Sequence, residues 1–195
     1  GGVEPVAASR ADKVGPGNPL VILGGVAVFM NPEPLASFAD LMVIGEAEPV
    51  LPGLVQATHS LLGKGASRQE IALHVAETLA GCYAPSLYSF RFAADGRVLA
   101  MAHESGAPAR VRRSFVSGMA AAAHSQIMSP EAELGMFMTE LGRGCSRGCR
   151  FCAAGFIYRP PRLWSEGQVL AGLQARPAGV ERIGLLGMEM AEAGV

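Results

Sequence analysis

The chain has 195 residues, half of them apolar and 17% charged, which excludes a disordered polymer and leaves room for one domain and part of another. A net charge of −1 gives no global electrostatic case for binding nucleic acid or membrane. The most apolar run, PLVILGGVAVFM at 19–30, is well short of the roughly 20 residues that a membrane helix needs.

The opening GGVEPVAASRADKVGPGN lacks the charged-then-apolar layout of a secretory signal. Three clustered cysteines out of four make a poor disulfide framework and point instead to metal or catalysis in a reducing cytoplasm. With no initiator methionine and no closing element after GLLGMEMAEAGV, the chain reads as an internal fragment of a longer one.

In chain order, PLVILGG (19–25) reads as a short buried strand closed by a tight turn. NPEPLASFAD predicts a short helix with proline in its first turn, where the missing N–H costs nothing. LMVIGE (41–46) predicts a second buried strand, and PVLPGLVQATHSLLGKG a helix closed by glycine. Strand, helix, strand, helix with short links implies a parallel sheet, here the C-terminal half of a Rossmann-like domain over 1–63. From 64 to 134 an α+β connector is expected. Its helix starts at the capping box Ser67…Glu70, and its β-hairpin turns at Asp95-Gly96. ARVRRSF is a further candidate strand. The third stretch, 135–195, predicts a strand at MFMTEL, a loop, a helix capped by Ser165 and Gln168 and ended by Pro177, and a strand at VERIGLLGME. That is one β–loop–α–β unit with its loop at the C-terminal end of the first strand, where parallel α/β proteins carry their chemistry.

The loop is GRGCSRGCRFCAAGFIY (142–158), with Cys145, Cys149 and Cys152 spaced C-x3-C-x2-C. Thiolates are soft ligands suited to zinc, copper and iron–sulfur clusters. A structural zinc site needs four protein ligands, usually as two separated pairs, and only His124 or Cys82 could complete this set. A redox dithiol would need C-x2-C alone and leave Cys145 idle. A 4Fe–4S cube on three cysteines keeps one iron open to an exchangeable ligand. Gly142, Gly144, Gly148 and Gly155 would let the backbone wrap closely around such a group.

This motif, with aromatic Phe151 just before its last cysteine, resembles the signature of radical S-adenosylmethionine (radical SAM) enzymes. The resemblance implies that Cys145, Cys149 and Cys152 hold a 4Fe–4S cluster whose fourth iron chelates S-adenosylmethionine. Reductive cleavage of that cofactor would give a 5′-deoxyadenosyl radical. It further implies cofactor contacts from the backbone near Phe151 and from a Gly-Gly-Glu-like turn. Here that turn is LLGME, with Gly187 and Glu189 matching and Met188 in place of the second glycine. A carboxylate facing the cofactor's ammonium makes a charge-assisted hydrogen bond. Arg143, Arg147, Arg150, Arg159 and Arg162 could offset cluster and carboxylate charge, meet an anionic substrate such as RNA, or form a solvated loop. Tyr158 and Trp164 read as packing rather than cofactor stacking.

The first stretch resembles the second half of the cobalamin-binding-type domain that precedes many radical SAM barrels. Its marks here are Gly24, Gly25, Pro32, Glu33, Asp40, Gly45, Glu46 and Glu48, with Ala47 where glycine is common. Cobalamin itself is carried as the lesser alternative, because no Asp-x-His of the histidine-on mode occurs. The implied fold is α/β throughout. It comprises a cobalamin-binding-like Rossmann half-domain (1–63), the connector (64–134), and the first β-α-β unit of a partial TIM barrel (135–195).

The implied function is a radical SAM enzyme of unknown substrate, RNA or small molecule. Its electrons would come from a reductant such as flavodoxin or ferredoxin, in the cytoplasm and with no membrane partner. A methylthiotransferase would need a second set of three cysteines, and only Cys82 remains. A cobalamin-dependent methyltransferase is another variant. The alternatives outside the enzyme class are an iron–sulfur electron-transfer or sensor protein and a zinc-stabilised binding module. A full (β/α)8 barrel takes roughly 250 residues, so the chain alone is expected to lack turnover.

Overall fold

Val21, Ile22 and Leu23 lead into a glycine pair, and in the computed structural model the short strand β1 (Ile22–Leu23) ends there. The structure describes residues 2–118, 121–129, 131 and 135–188. It divides into two compact units, Gly1–Val116 and Ser117–Val195.

In the first unit, helix α1 (Val26–Met30) starts directly after the glycines and buries only Val28. A 3-10 turn over Glu33–Phe38 follows, with proline at its start, and leads to β2 (Leu41–Val43), which is buried along its whole length. β1 and β2 pair in parallel, Ile22 opposite Leu41. The next elements are α2 (Leu51–Gly63), with proline in its first turn, and α3 (Arg68–Thr78). The capping box that opens α3 is formed. Ser67 Oγ accepts from the Glu70 N–H, and Glu70 Oε2 accepts from the Ser67 N–H at 2.8 Å.

β3 (Cys82–Tyr83) then joins the sheet, and it runs antiparallel to β2. No sequence signal announces this strand. Its direction follows from the connection. Two consecutive helices with a short link return the chain to the end of the sheet it left, whereas a single crossover helix would have delivered it parallel. The core gathers Leu41 and Val43 from β2, Leu54 from α2, Ile71 and Val75 from α3, and Cys82 from β3.

The hairpin about Asp95-Gly96 is present as β4 (Tyr88–Phe92) and β5 (Val98–His103), with Arg97 bonded back to Asp95. It belongs to the first unit, as does α3. ARVRRSF contributes no strand beyond an isolated bridge of Ser114 to Gly45, because the chain there is held by side chains as much as by backbone. Glu46 accepts the Val116 N–H, and Ser114 Oγ donates to the Glu46 carbonyl.

The second unit contains β6 (Phe137–Glu140), β7 (Gly142–Arg143), α4 (Ala154–Ile157), β8 (Arg162–Leu163), α5 (Glu166–Gln174) and β9 (Ile183–Leu186). β6 and β9 pair in parallel, Phe137 opposite Ile183, with α5 in the connection. α5 opens on the Ser165–Gln168 capping box. Its Gly172 permits a close approach, since a Cβ there would stand 2.9 Å from Thr139 Oγ1 and 3.2 Å from the Ala122 carbonyl. Phe137 and Thr139 are fully buried beneath it. Among the described residues no helix is long and apolar enough to cross a membrane.

Candidate metal centre

The cysteine loop leaves the C-terminal end of β6 and returns to α5, and its base is stapled. β7 and β8 pair antiparallel, Gly142 opposite Leu163 and Arg143 opposite Arg162. The Leu141 N–H donates to the Leu186 carbonyl at 2.7 Å, which ties the base to the C-terminal end of β9 as well. Gly187 follows directly, so the cysteine loop and the glycine of LLGME lie at one end of the parallel pair. Glu189 lies outside the described residues.

Inside the staple the loop folds back on itself. Gly144 has φ +90°, and a Cβ there would run into the Tyr158 carbonyl and stand 2.9 Å from Pro161 Cα. Cys145 follows it. Cys149 and Cys152 close a turn, the Cys152 N–H donating to the Cys149 carbonyl at 3.1 Å. Phe151, at the turn's corner, is 92% exposed. All three thiols are half-buried and none is in a disulfide. On the far side Arg159 Nε donates to the Gly155 carbonyl at 2.7 Å, and its guanidinium covers the Phe156 ring.

Three of the loop's arginines, Arg143, Arg159 and Arg162, are built into its frame. Arg143 pairs with Glu140 at 2.7 Å and stands 6.0 Å from the Trp164 ring, while Arg143 and Arg162 are also the rungs of the β7–β8 staple. The Trp164 N–H is buried without a partner among the described residues. Arg150 is exposed beside Phe151.

Three thiols on one eight-residue stretch of glycine-rich loop fit a cluster in donor type and number. Among the described residues no group of three or more His, Cys, Asp or Glu side chains could hold a metal ion. A single zinc needs four donors converging on one point. A 4Fe–4S cube instead takes each thiolate on a different iron corner, so its cysteines stand apart around a bulky group. The two remaining zinc candidates are engaged elsewhere. His124 bonds the Ala122 carbonyl through Nδ1 and Gln126 through Nε2, and its ring packs 5.8 Å from that of Phe137. Cys82 is buried in β3 of the first unit, where burial pushes its thiol up to about 11.

The marks of the first stretch take up structural posts. Asp40 Oδ2 accepts from Arg10 Nη1 at 3.0 Å, from Arg68 Nη1 at 2.7 Å and from the Val21 N–H at 2.7 Å. Neither arginine stands out in the sequence, because each lies about thirty residues from its partner. Glu33 accepts the Tyr83 hydroxyl at 2.8 Å, and burial, then this bond, pushes that phenol far above its ordinary range.

Comparison with a family model bears on this same unit. A family model described as "Radical SAM proteins, N-terminal" matches residues 1–85, which supports membership of the radical SAM superfamily. An uncharacterized protein of Methanocaldococcus jannaschii is 52% identical over 40 residues, 18% of this chain and 9% of that protein. The match therefore spans only a small part of the curated relative's length. No solved structure matches the chain.

Proposed function

We propose that this chain carries the cluster loop of a radical SAM enzyme, with Cys145, Cys149 and Cys152 as the three ligands of a 4Fe–4S cluster. The observation that carries the reading is the stapled loop at the C-terminal end of β6, with three thiols outside any disulfide, wrapped by Gly144 and closed by the Cys149–Cys152 turn. The family match to residues 1–85 supports it from a separate segment. When bound, such a cluster supplies the electron that cleaves S-adenosylmethionine reductively to a 5′-deoxyadenosyl radical, with flavodoxin or ferredoxin as its source.

This chain's own residues hold and shield the group. The β7–β8 staple fixes the loop's two ends, and the Arg143–Glu140 pair anchors the first of them. Exposed Phe151 offers an aromatic face beside the ligands, and Gly187 with Glu189 would meet the cofactor's amino group. On the same reading β6, α5 and β9 form the first β-α-β unit of a partial TIM barrel, and residues 1–63 a cobalamin-binding-like half-domain.

Anaerobic reconstitution with iron and sulfide, followed by electron paramagnetic resonance of the reduced protein, tests this. The expected result is a 4Fe–4S signal that shifts on adding S-adenosylmethionine and is lost in Cys145→Ala, Cys149→Ala and Cys152→Ala. A cluster indifferent to the cofactor would favour an electron carrier or sensor. Stoichiometric zinc without iron would overturn the enzyme reading.

A further inference from the structure

A cluster asks the three loop thiols to act together, yet two of them share a geometry of their own. Cys149 and Cys152 are the first and last residues of a four-residue turn, closed by the Cys152 N–H donating to the Cys149 carbonyl at 3.1 Å. Such a turn holds its end Cα atoms within about 7 Å of each other. A disulfide spans Cα separations of about 4.4 to 6.8 Å. The two ranges overlap, so little backbone movement separates this dithiol from a disulfide.

Cys145 stands outside the turn. Gly148, at φ +64°, separates it from Cys149, and Gly144, at φ +90°, precedes it. Among the described residues the three thiols do not gather into a set ready for one metal ion. Cys149 and Cys152 can therefore react with each other without Cys145. The fourth thiol, Cys82, lies in the core of the first unit, where burial pushes it up to about 11 and suppresses the attacking thiolate.

The turn is also open to a reagent. Its central residues, Arg150 and Phe151, are both exposed, and the two thiols are half-buried rather than enclosed. The β7–β8 pairing holds the loop's ends, so closing a bond inside it needs no rearrangement of the parallel pair.

We propose that Cys149 and Cys152 form a reversible disulfide when the loop carries no metal, a thiol–disulfide switch whose oxidised state is closed to metal. The oxidant is a small disulfide such as glutathione disulfide. One cysteine thiolate attacks a glutathione sulfur, a mixed disulfide forms, and one glutathione thiolate leaves. The other cysteine thiolate then attacks the protein-side sulfur and expels the second glutathione. Two electrons pass from the cysteines to glutathione disulfide, and the two cysteine protons end on two glutathione thiols. Only the switch's consequence for cluster binding rests on the function proposed above.

Trypsin cuts after Arg143, Arg147, Arg150 and Arg162, so the three cysteines fall on the separate peptides 144–147, 148–150 and 151–162. The metal-free whole chain is treated with excess glutathione disulfide, quenched with N-ethylmaleimide, digested and read by mass spectrometry. The expected product is 148–150 joined to 151–162, about tenfold more abundant than any link to 144–147 and reversed by dithiothreitol. In urea, where the turn is lost, that preference should fall to about twofold or less. Cys145→Ala should leave the product unchanged, whereas Cys152→Ser should leave Cys149 as a stable glutathione adduct. Chain loaded beforehand with iron and sulfide should form none of the bond while its measured iron persists. A dominant link to Cys145, separate glutathione adducts on Cys149 and Cys152, or an unchanged preference in urea overturns the proposal. So does a bond that forms while the iron stays bound. Failure to take up iron counts against the cluster reading instead, and the peptide map of the metal-free chain still decides the disulfide.

Discussion

Gly144→Ala probes the cysteine loop at the point where its backbone is least tolerant. The residue sits at φ +90°, and holding alanine in the left-handed region costs about 1–2 kcal/mol. The added Cβ would also run into the Tyr158 carbonyl and crowd Pro161 Cα at 2.9 Å. Both neighbours are backbone, so neither can swing aside as a side-chain end would, and a total of about 3 kcal/mol or more is expected. That is roughly two powers of ten in the population of the folded-back loop. Apparent affinity for any group that needs this conformation falls by the same factor. The loss should be local, because the loop lies outside the β6–β9 pair and is joined to it through its β7–β8 base. The assay is iron and sulfide content after anaerobic reconstitution, read beside far-ultraviolet circular dichroism. The control is Gly167→Ala on α5, where a Cβ meets nothing within 4 Å and a small gain of up to about 1 kcal/mol is expected. Gly144→Ala protein that loads iron like the parent would refute the reasoning, since the loop seen here would then not be the one that holds the cluster.

Asp40→Asn removes the counter-charge from two buried arginines and should cost about 3–5 kcal/mol in urea denaturation, and a loss under about 1 kcal/mol would mean that the cluster is not a clamp. Burial raises the Cys82 thiol from 9.0 to about 11 and raises the Tyr83 phenol further, so both neutral forms are favoured in the fold. Their stabilisation is complete below the unfolded values and fades as pH rises through the folded ones, because the unfolded chain ionises first. The denaturation midpoint should therefore fall between pH 9 and 11, by about 2–3 kcal/mol for Cys82, and Cys82→Ala should flatten that fall. Ser165→Ala breaks the capping box of α5 and should lower the stability of the second unit by about 1 kcal/mol, which thermal unfolding followed by Trp164 fluorescence would read.

What was legible in the sequence is what local chemistry decides. Asp95-Gly96 dictates a turn from two residues, and Ser67 with Glu70, or Ser165 with Gln168, dictates a helix start from four. β3 escaped because Cys-Tyr carries no alternation of its own, and its place depends on two helices turning the chain back. The β7–β8 staple escaped for a similar reason. Gly142-Arg143 and Arg162-Leu163 look like loop on both sides, and only closing nineteen residues of separation pairs them. The cysteines announce a ligand set through spacing, yet spacing says nothing of the staple that fixes their loop. Asp40, Glu33 and Glu46 were visible as marks, but their partners Arg10, Arg68, Tyr83 and Val116 lie between 28 and 70 residues away.

The two signals for a radical SAM protein come from parts of the chain that share no residue. The family model ends at residue 85, and the first cysteine of the loop is Cys145. A chance run of cysteines would carry no reason to follow a segment of that family, and that segment owes nothing to the cysteines. Within residues 1–85 the distinctive side chains are occupied in holding the unit together: Arg10 and Arg68 through Asp40, and Tyr83 through Glu33. Three of the four thiols lie in the stapled loop, and the fourth, Cys82, is buried in the core of the first unit. The first unit is thus a scaffold, and redox chemistry proposed for the chain must be looked for between Gly142 and Leu163. Substitutions in the Asp40 cluster should accordingly change stability and leave the cluster's spectrum alone, while those at Gly144 and the three cysteines should do the reverse.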